Sequence, residues 1–125
     1  MDTAPHRAPR LRLPAAARMR SQADFRRALD HGVSAGDRVL KLWVIRNDAG
    51  LARLGMMVGR RYGNAPQRNR IKRLFREAFR LLRPELPADL DLVCSPRVGP
   101  APSLAACMSS LRTLCATLTR RIARG

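Results

Sequence analysis

Apolar residues recur along this chain at two different periods, and the changes of period mark out its elements. After Ser21, whose side chain can cap the amides that follow, Phe25, Ala28 and Leu29 fall on one face of a helix that His31-Gly32 ends. Over residues 38–46 the period drops to two. Leu40, Leu42 and Val44 point one way, and Val39, Lys41, Trp43 and Ile45 the other, as in a strand. Past the turn-prone Asn47-Asp48-Ala49-Gly50, a second strand sets Leu54, Met56 and Val58 against Gly55, Met57 and Gly59. The turn chemistry predicts that these two strands form a hairpin. The glycine-bearing face, with Lys41 and Trp43 opposite, then becomes a shallow, partly covered surface on which an extended chain can lie close to the backbone.

The period lengthens again from Pro66, a residue suited to a first helical turn, to about Arg83, where Pro84 stops the helix. Ile71, Leu74, Phe75, Ala78 and Leu82 make its apolar stripe. Asn69, Lys72, Arg73, Arg76, Arg80 and Arg83 project from the other side. A short strand over 90–95 follows, in which Leu92 and Cys94 alternate with Asp91, Val93 and Ser95; Pro96 makes it an edge or ends it. Ser103 can cap a last helix that covers the sheet with Leu104, Cys107, Met108, Leu111, Leu114, Cys115, Leu118 and Ile122.

Charge narrows the function. Among 125 residues there are 25 Lys plus Arg against 9 Asp plus Glu, a net +16, which calls for a polyanionic partner. Lys41 and Lys72 are the only lysines. Guanidinium groups grip phosphate in two-pronged fashion and stack on bases, so RNA or DNA fits best. Residues 1–19 mix Pro, Ala and Arg without a sustained period and are expected to form a flexible basic tail; residues 20–125 form a single domain. No long apolar run and no secretory signal is present, so a cytoplasmic protein with no membrane partner and no small-molecule substrate is expected. Cys94, Cys107 and Cys115 lack metal-ligand spacing and read as packing thiols.

Seven cations lie between Arg68 and Arg83, with Glu77 the one acid among them, placed to pair with Arg73 or Arg80. Like charges one turn apart repel, and the chain tolerates this if phosphates supply the missing negative charge in the working complex. Asn69, between Arg68 and Arg70, can hydrogen-bond a base edge, a ribose hydroxyl or a phosphate. No catalytic set assembles. His6 sits in the tail, His31 at a helix end, and Asp89 and Asp91 have no third ligand nearby with which to share a metal.

The series Arg53-Leu54-Gly55, Val58-Gly59-Arg60-Arg61-Tyr62-Gly63-Asn64-Ala65 and Arg68-Asn69-Arg70-Ile71-Lys72-Arg73-Leu74-Phe75-Arg76-Glu77-Ala78-Phe79-Arg80 resembles the signature of the bacterial ribonuclease P protein subunit. With Ala23-Asp24-Phe25 and His31-Gly32 before it and Asp91 and Arg97 after it, the likeness covers residues 20–97. It implies an α+β fold, a compact α/β sandwich in the order αβββαβα. Helices pack a central four-stranded sheet with a left-handed βαβ crossover, and an extra strand lies near residues 33–36. It implies a subunit that binds a catalytic RNA and with it cuts the 5′ leader from precursor tRNA. The RNA and its Mg2+ ions do the chemistry, and this chain contributes no catalytic residue. Carried over by position, Arg68, Asn69, Arg70, Lys72, Arg73 and Arg76 match the motif that faces the RNA subunit. Phe25, Trp43, Arg60 and Arg61 match the cleft that holds the single-stranded leader. Leu29, Gly59 and Pro96 depart from the family pattern in that cleft. Trp43 can stack on a base or pack beneath the first helix, and Phe25 can serve cleft or core.

The runner-up is a ribosomal-type or general RNA-binding module with no role in tRNA cleavage. A helix-turn-helix DNA binder fits less well, because a strand rather than a short partner helix precedes the basic helix.

Overall fold

The computed structural model describes residues 13–124. Seven principal elements follow one another: α1 (Gln22–His31), β1 (Val33–Gly36), β2 (Leu40–Arg46), β3 (Arg53–Met56), α2 (Ala65–Leu82), β4 (Leu90–Pro96) and α3 (Leu104–Arg124). The order is αβββαβα, and the fold is α+β. Short 3-10 turns lie at Ala15–Ala17, Arg60–Tyr62 and Arg83–Glu85.

The strands form one four-stranded sheet in the order β1-β2-β4-β3. The hairpin expected between residues 38–46 and the following strand does not form. Instead β4 inserts between the two, antiparallel to β2 (Trp43 opposite Val93) and parallel to β3 (Gly55 opposite Val93). The strand at 90–95 is therefore central rather than an edge. It ends at Pro96, the last residue of the β2 pairing, opposite Leu40. Because β3 and β4 are parallel neighbours, the chain needs a crossover between them, and α2 supplies it. The turn residues have another use: the Asn47 side chain donates to the Leu51 carbonyl (3.1 Å) and to Asp91 (2.7 Å).

The period-2 pattern sends Leu40, Leu42, Val44, Leu54, Leu92 and Cys94 to one face, where α2 and α3 cover them. Phe75, Ala78, Phe79 and Leu82 enter this core from α2, and Cys107, Leu111, Leu114, Cys115 and Leu118 from α3. The opposite face carries Trp43, Ile45 and Val93 and is covered in part by α1 through Phe25, Ala28 and Leu29. Gly55 makes that approach possible: a Cβ there would stand 2.5 Å from the Phe25 ring.

Residues 13–19 do not behave as the expected tail. Ala17 and Met19 are buried, the Met19 amide donates to the Leu54 carbonyl (2.9 Å), and Arg18 bridges Leu54 in parallel. The alternation that hides Ala17 and Met19 leaves Arg18 and Arg20 exposed. Residues 1–12, the rest of that expectation, lie outside the described residues.

All three cysteines are free and buried. Burial pushes their thiols up, Cys107 to about 11 and Cys94 further than Cys115. They are protonated as well as inaccessible at neutral pH. A thiol-specific disulfide reagent is expected to modify none of them in the native protein within minutes at pH 8, and all three in denaturant. Fast native reaction at Cys107 would show that α3 opens from the sheet.

Candidate nucleic-acid interface

The start of helix α2 is fixed by Gly63 and the residues that follow it. Gly63 has φ +117°, a conformation that side chains rarely adopt, and a Cβ there would lie 2.0 Å from the Gln67 side-chain oxygen. That oxygen accepts from the Asn64 amide (2.8 Å), while the Asn64 side chain accepts from the Gln67 amide (2.9 Å), a reciprocal capping box. Pro66 occupies the first turn. The rod is thus fixed in register from its first residue, and Phe75, Ala78, Phe79 and Leu82 anchor its inner side.

Its outer side is cationic, and it is divided. At about 100° per residue, Asn69, Arg73, Arg76 and Arg80 lie within about 60° of one another, while Arg70 lies about 60° beyond Arg73. The first group lines a groove of about 660 Å³ whose other wall is the N-terminal segment, with Arg18 and Arg20. Arg70 lines a separate groove of about 410 Å³, with Tyr62, Gln67 and the loop preceding α3. Arg68 and Lys72 are half-buried beside the apolar stripe. The structure therefore gathers Asn69, Arg73 and Arg76 in one place and separates Arg70 from them.

Glu77 pairs with Arg80 (2.6 Å) rather than Arg73, and this hydrogen-bonded pairing holds the Glu77 carboxyl below its usual range. Arg76 is shifted down, first by burial and then by the nearby charges of Arg18 and Arg20. Arg18 and Arg20 thus bring further positive charge to the groove that Arg76 lines.

The candidate leader residues occupy the α1 side of the sheet. Trp43 is half-buried against Val93 and α1, and the Lys41 ammonium lies 4.8 Å from its ring centroid. Lys41 faces Ser95 across the β2–β4 pair. Ser95 and Met57 in turn line a groove of about 520 Å³ with Arg60, Arg61 and Tyr62. Arg60 and Arg61 are exposed, and Arg61 lies 5.7 Å from the Tyr62 ring centroid. Phe25 is half-buried over Gly55, so it forms the floor between helix and sheet while keeping part of its surface open.

A family model described as Ribonuclease P matches residues 13–119. The chain belongs to that family. The ribonuclease P protein component of Natranaerobius thermophilus is 36% identical over 75 residues, 60% of this chain and 65% of that one. That of Chlamydia muridarum is 37% identical over 95 residues, 75% of this chain and 79% of that one. The solved RNase P protein from Thermotoga maritima superposes with a TM-score of 0.70 at 28% identity, covering 82% of this chain and 96% of that chain.

Within this ribonuclease P family frame, several residues contribute that sequence reasoning misses. Arg18 and Arg20 fall in the expected tail and at the start of the domain, although the alternation Ala17-Arg18-Met19-Arg20 is a strand-like signal. Tyr62 has no role that its sequence position suggests, yet its hydroxyl donates to the Pro96 carbonyl and ties the Arg60–Tyr62 turn to the end of β4. Asp91 is no metal partner of Asp89. Asp89 meets Arg46 (2.7 Å) near the surface, whereas Asp91 is fully buried and takes a two-pronged hydrogen bond from Arg53 (2.7 Å at each oxygen).

Proposed function

We propose that this chain is the protein subunit of ribonuclease P: it binds a catalytic RNA through the cationic side of α2 and assists it in removing the 5′ leader from precursor tRNA. The observation that carries this reading is the exposed Asn69, Arg70 and Arg73, with half-buried Arg76, on a rigidly capped helix; these positions resemble the family's RNA-facing motif. Arginines at these spacings act as two-pronged phosphate ligands, fixed by the packed stripe behind them.

The α1 side of the sheet supplies the second contact. An unpaired leader nucleotide stacks against Trp43, with Lys41 at the same ring, and its phosphates run toward Arg60 and Arg61. Bond breaking belongs to the RNA in this reading. Magnesium is assigned to the RNA subunit, where it would supply Lewis-acid chemistry at the phosphodiester.

The direct test mixes the full chain with ribonuclease P RNA and precursor tRNA at low magnesium. A single cut at the mature 5′ end, dependent on the chain, is expected. Binding to the RNA without any gain in cutting would instead point to a general RNA-binding module. Trp43→Ala is expected to weaken precursor binding about tenfold, since stacking contributes about 1–3 kcal/mol per base, while sparing mature tRNA. Competition binding with both tRNAs checks this, and equal loss for both would assign Trp43 to packing alone.

A further inference from the structure

We propose that residues 13–20 and α2 together form a built groove for one RNA phosphodiester strand, with Arg18 and Arg20 on one wall and Arg73 and Arg76 on the other. The proposal rests on the reading of α2 as an RNA contact and adds to it a second wall, a defined occupant and a division of the motif.

The second wall is fixed. Ala17 and Met19 are buried against the sheet, and the Met19 amide is bonded to the Leu54 carbonyl at 2.9 Å. Arg18 and Arg20 are thereby turned outward on either side of Met19, across the groove from α2. The space between the walls is about 660 Å³. None of Arg18, Arg20, Arg73 and Arg76 forms an ion pair with an acid among the described residues, and Glu77, the acid that lines the groove, is held by Arg80. Like charges facing one another raise the energy of the free protein, and at Arg76 the charges of Arg18 and Arg20 add to the larger effect of burial in shifting the guanidinium down. A phosphodiester lying between the walls reverses the sign of the interaction, because guanidinium groups reach it from both sides and release its counterions.

The same geometry takes Arg70 out of this strand. It lies in the neighbouring groove with Tyr62 and Gln67, so α2 stands as a ridge between two separate stretches of RNA backbone. Mutational effects within one groove are then coupled, and effects across the ridge add independently.

The test uses the full chain and ribonuclease P RNA, with affinity measured by filter binding over a series of salt concentrations. Arg18→Gln with Arg20→Gln is expected to lower affinity about tenfold or more, and to reduce the slope of log affinity against log salt by about 1.4, roughly 0.7 for each single-strand phosphate that is no longer neutralised. Both side chains are exposed, so the thermal melt should be unchanged. A double-mutant cycle should show coupling of Arg20→Gln with Arg76→Gln and additivity with Arg70→Gln. If the Arg18/Arg20 variant binds as the parent does, with the same salt slope, while Arg70→Gln weakens binding, the groove is overturned and α2 remains an RNA contact. If neither variant weakens binding, the groove and the reading beneath it fall together.

Discussion

Reversing Arg70 and Arg73 to Glu is expected to weaken assembly with ribonuclease P RNA by about 3 kcal/mol or more, two charge-assisted hydrogen bonds at roughly 1.5 kcal/mol each before any new repulsion is added. The pair samples both sides of the ridge, since Arg73 lines the groove shared with Arg18 and Arg20, and Arg70 lines the one beside Tyr62. Both side chains are exposed and point away from Phe75, Ala78, Phe79 and Leu82, so the fold should persist. The stability of the free protein should stay within a few tenths of a kcal/mol, because a Glu at position 73 gains Arg76 one turn on but meets Glu77 four residues on. Lost affinity beside unchanged stability separates a weakened interface from a damaged fold. Filter binding measures the first and thermal denaturation the second. Unimpaired assembly of the double variant would remove α2 from the interface.

The elements of this fold are legible in the sequence because each rests on local periodicity and capping. The α2 stripe, the Ser21 and Ser103 caps and the alternation in β2 are all present in the structure, and the Ser103 hydroxyl does accept from the Ala106 amide at 3.0 Å. Pairing is not legible in the same way. Asn47-Asp48-Ala49-Gly50 has the chemistry of a hairpin turn, yet a strand's period says nothing about which strand lies beside it. The sheet's preference for burying Leu90–Pro96 on both faces decides the matter by placing β4 between β2 and β3. One clue exists: a strand apolar on both faces belongs in the middle of a sheet, and Leu90, Leu92, Val93 and Cys94 give that pattern around a single acid. The cationic candidates at the interface can be named from spacing, but their division into two grooves cannot. It depends on residues 13–20 returning to the sheet beside Leu54, far along the chain from them.

Asp91→Ala is expected to cost about 3–5 kcal/mol of folding stability, the range for removing one partner of a buried ion pair. The carboxylate is fully buried in β4 and engages three neighbours: Arg53 through both oxygens at 2.7 Å, the Asn47 side chain at 2.7 Å and Arg27 at 3.5 Å. Arg53 also reaches Asp24 (3.4 Å), so this knot ties α1 to β3 and β4. Its hydrogen bond with Asp91 raises the Arg53 guanidinium above its ordinary range against the opposing effect of burial, which shows the dependence of one partner on the other. Truncation leaves a largely buried cation and the Asn47 amide without their acceptor, and that loss, rather than the attraction itself, makes up most of the cost. The double replacement Asp91→Leu with Arg53→Met removes both charges and should therefore be milder than Asp91→Ala alone, despite changing more atoms. Urea unfolding of the two variants checks the order. Equal or greater loss in the double variant would mean that the attraction within the pair outweighs its desolvation. The functional consequence follows from position. Asp24 and Arg27 flank Phe25 on α1, so loosening the knot frees the helix that shapes the Trp43 cleft, while α2, capped by Asn64 and Gln67, keeps its register. At temperatures where Asp91→Ala is still folded, precursor binding should fall more than RNA-subunit binding.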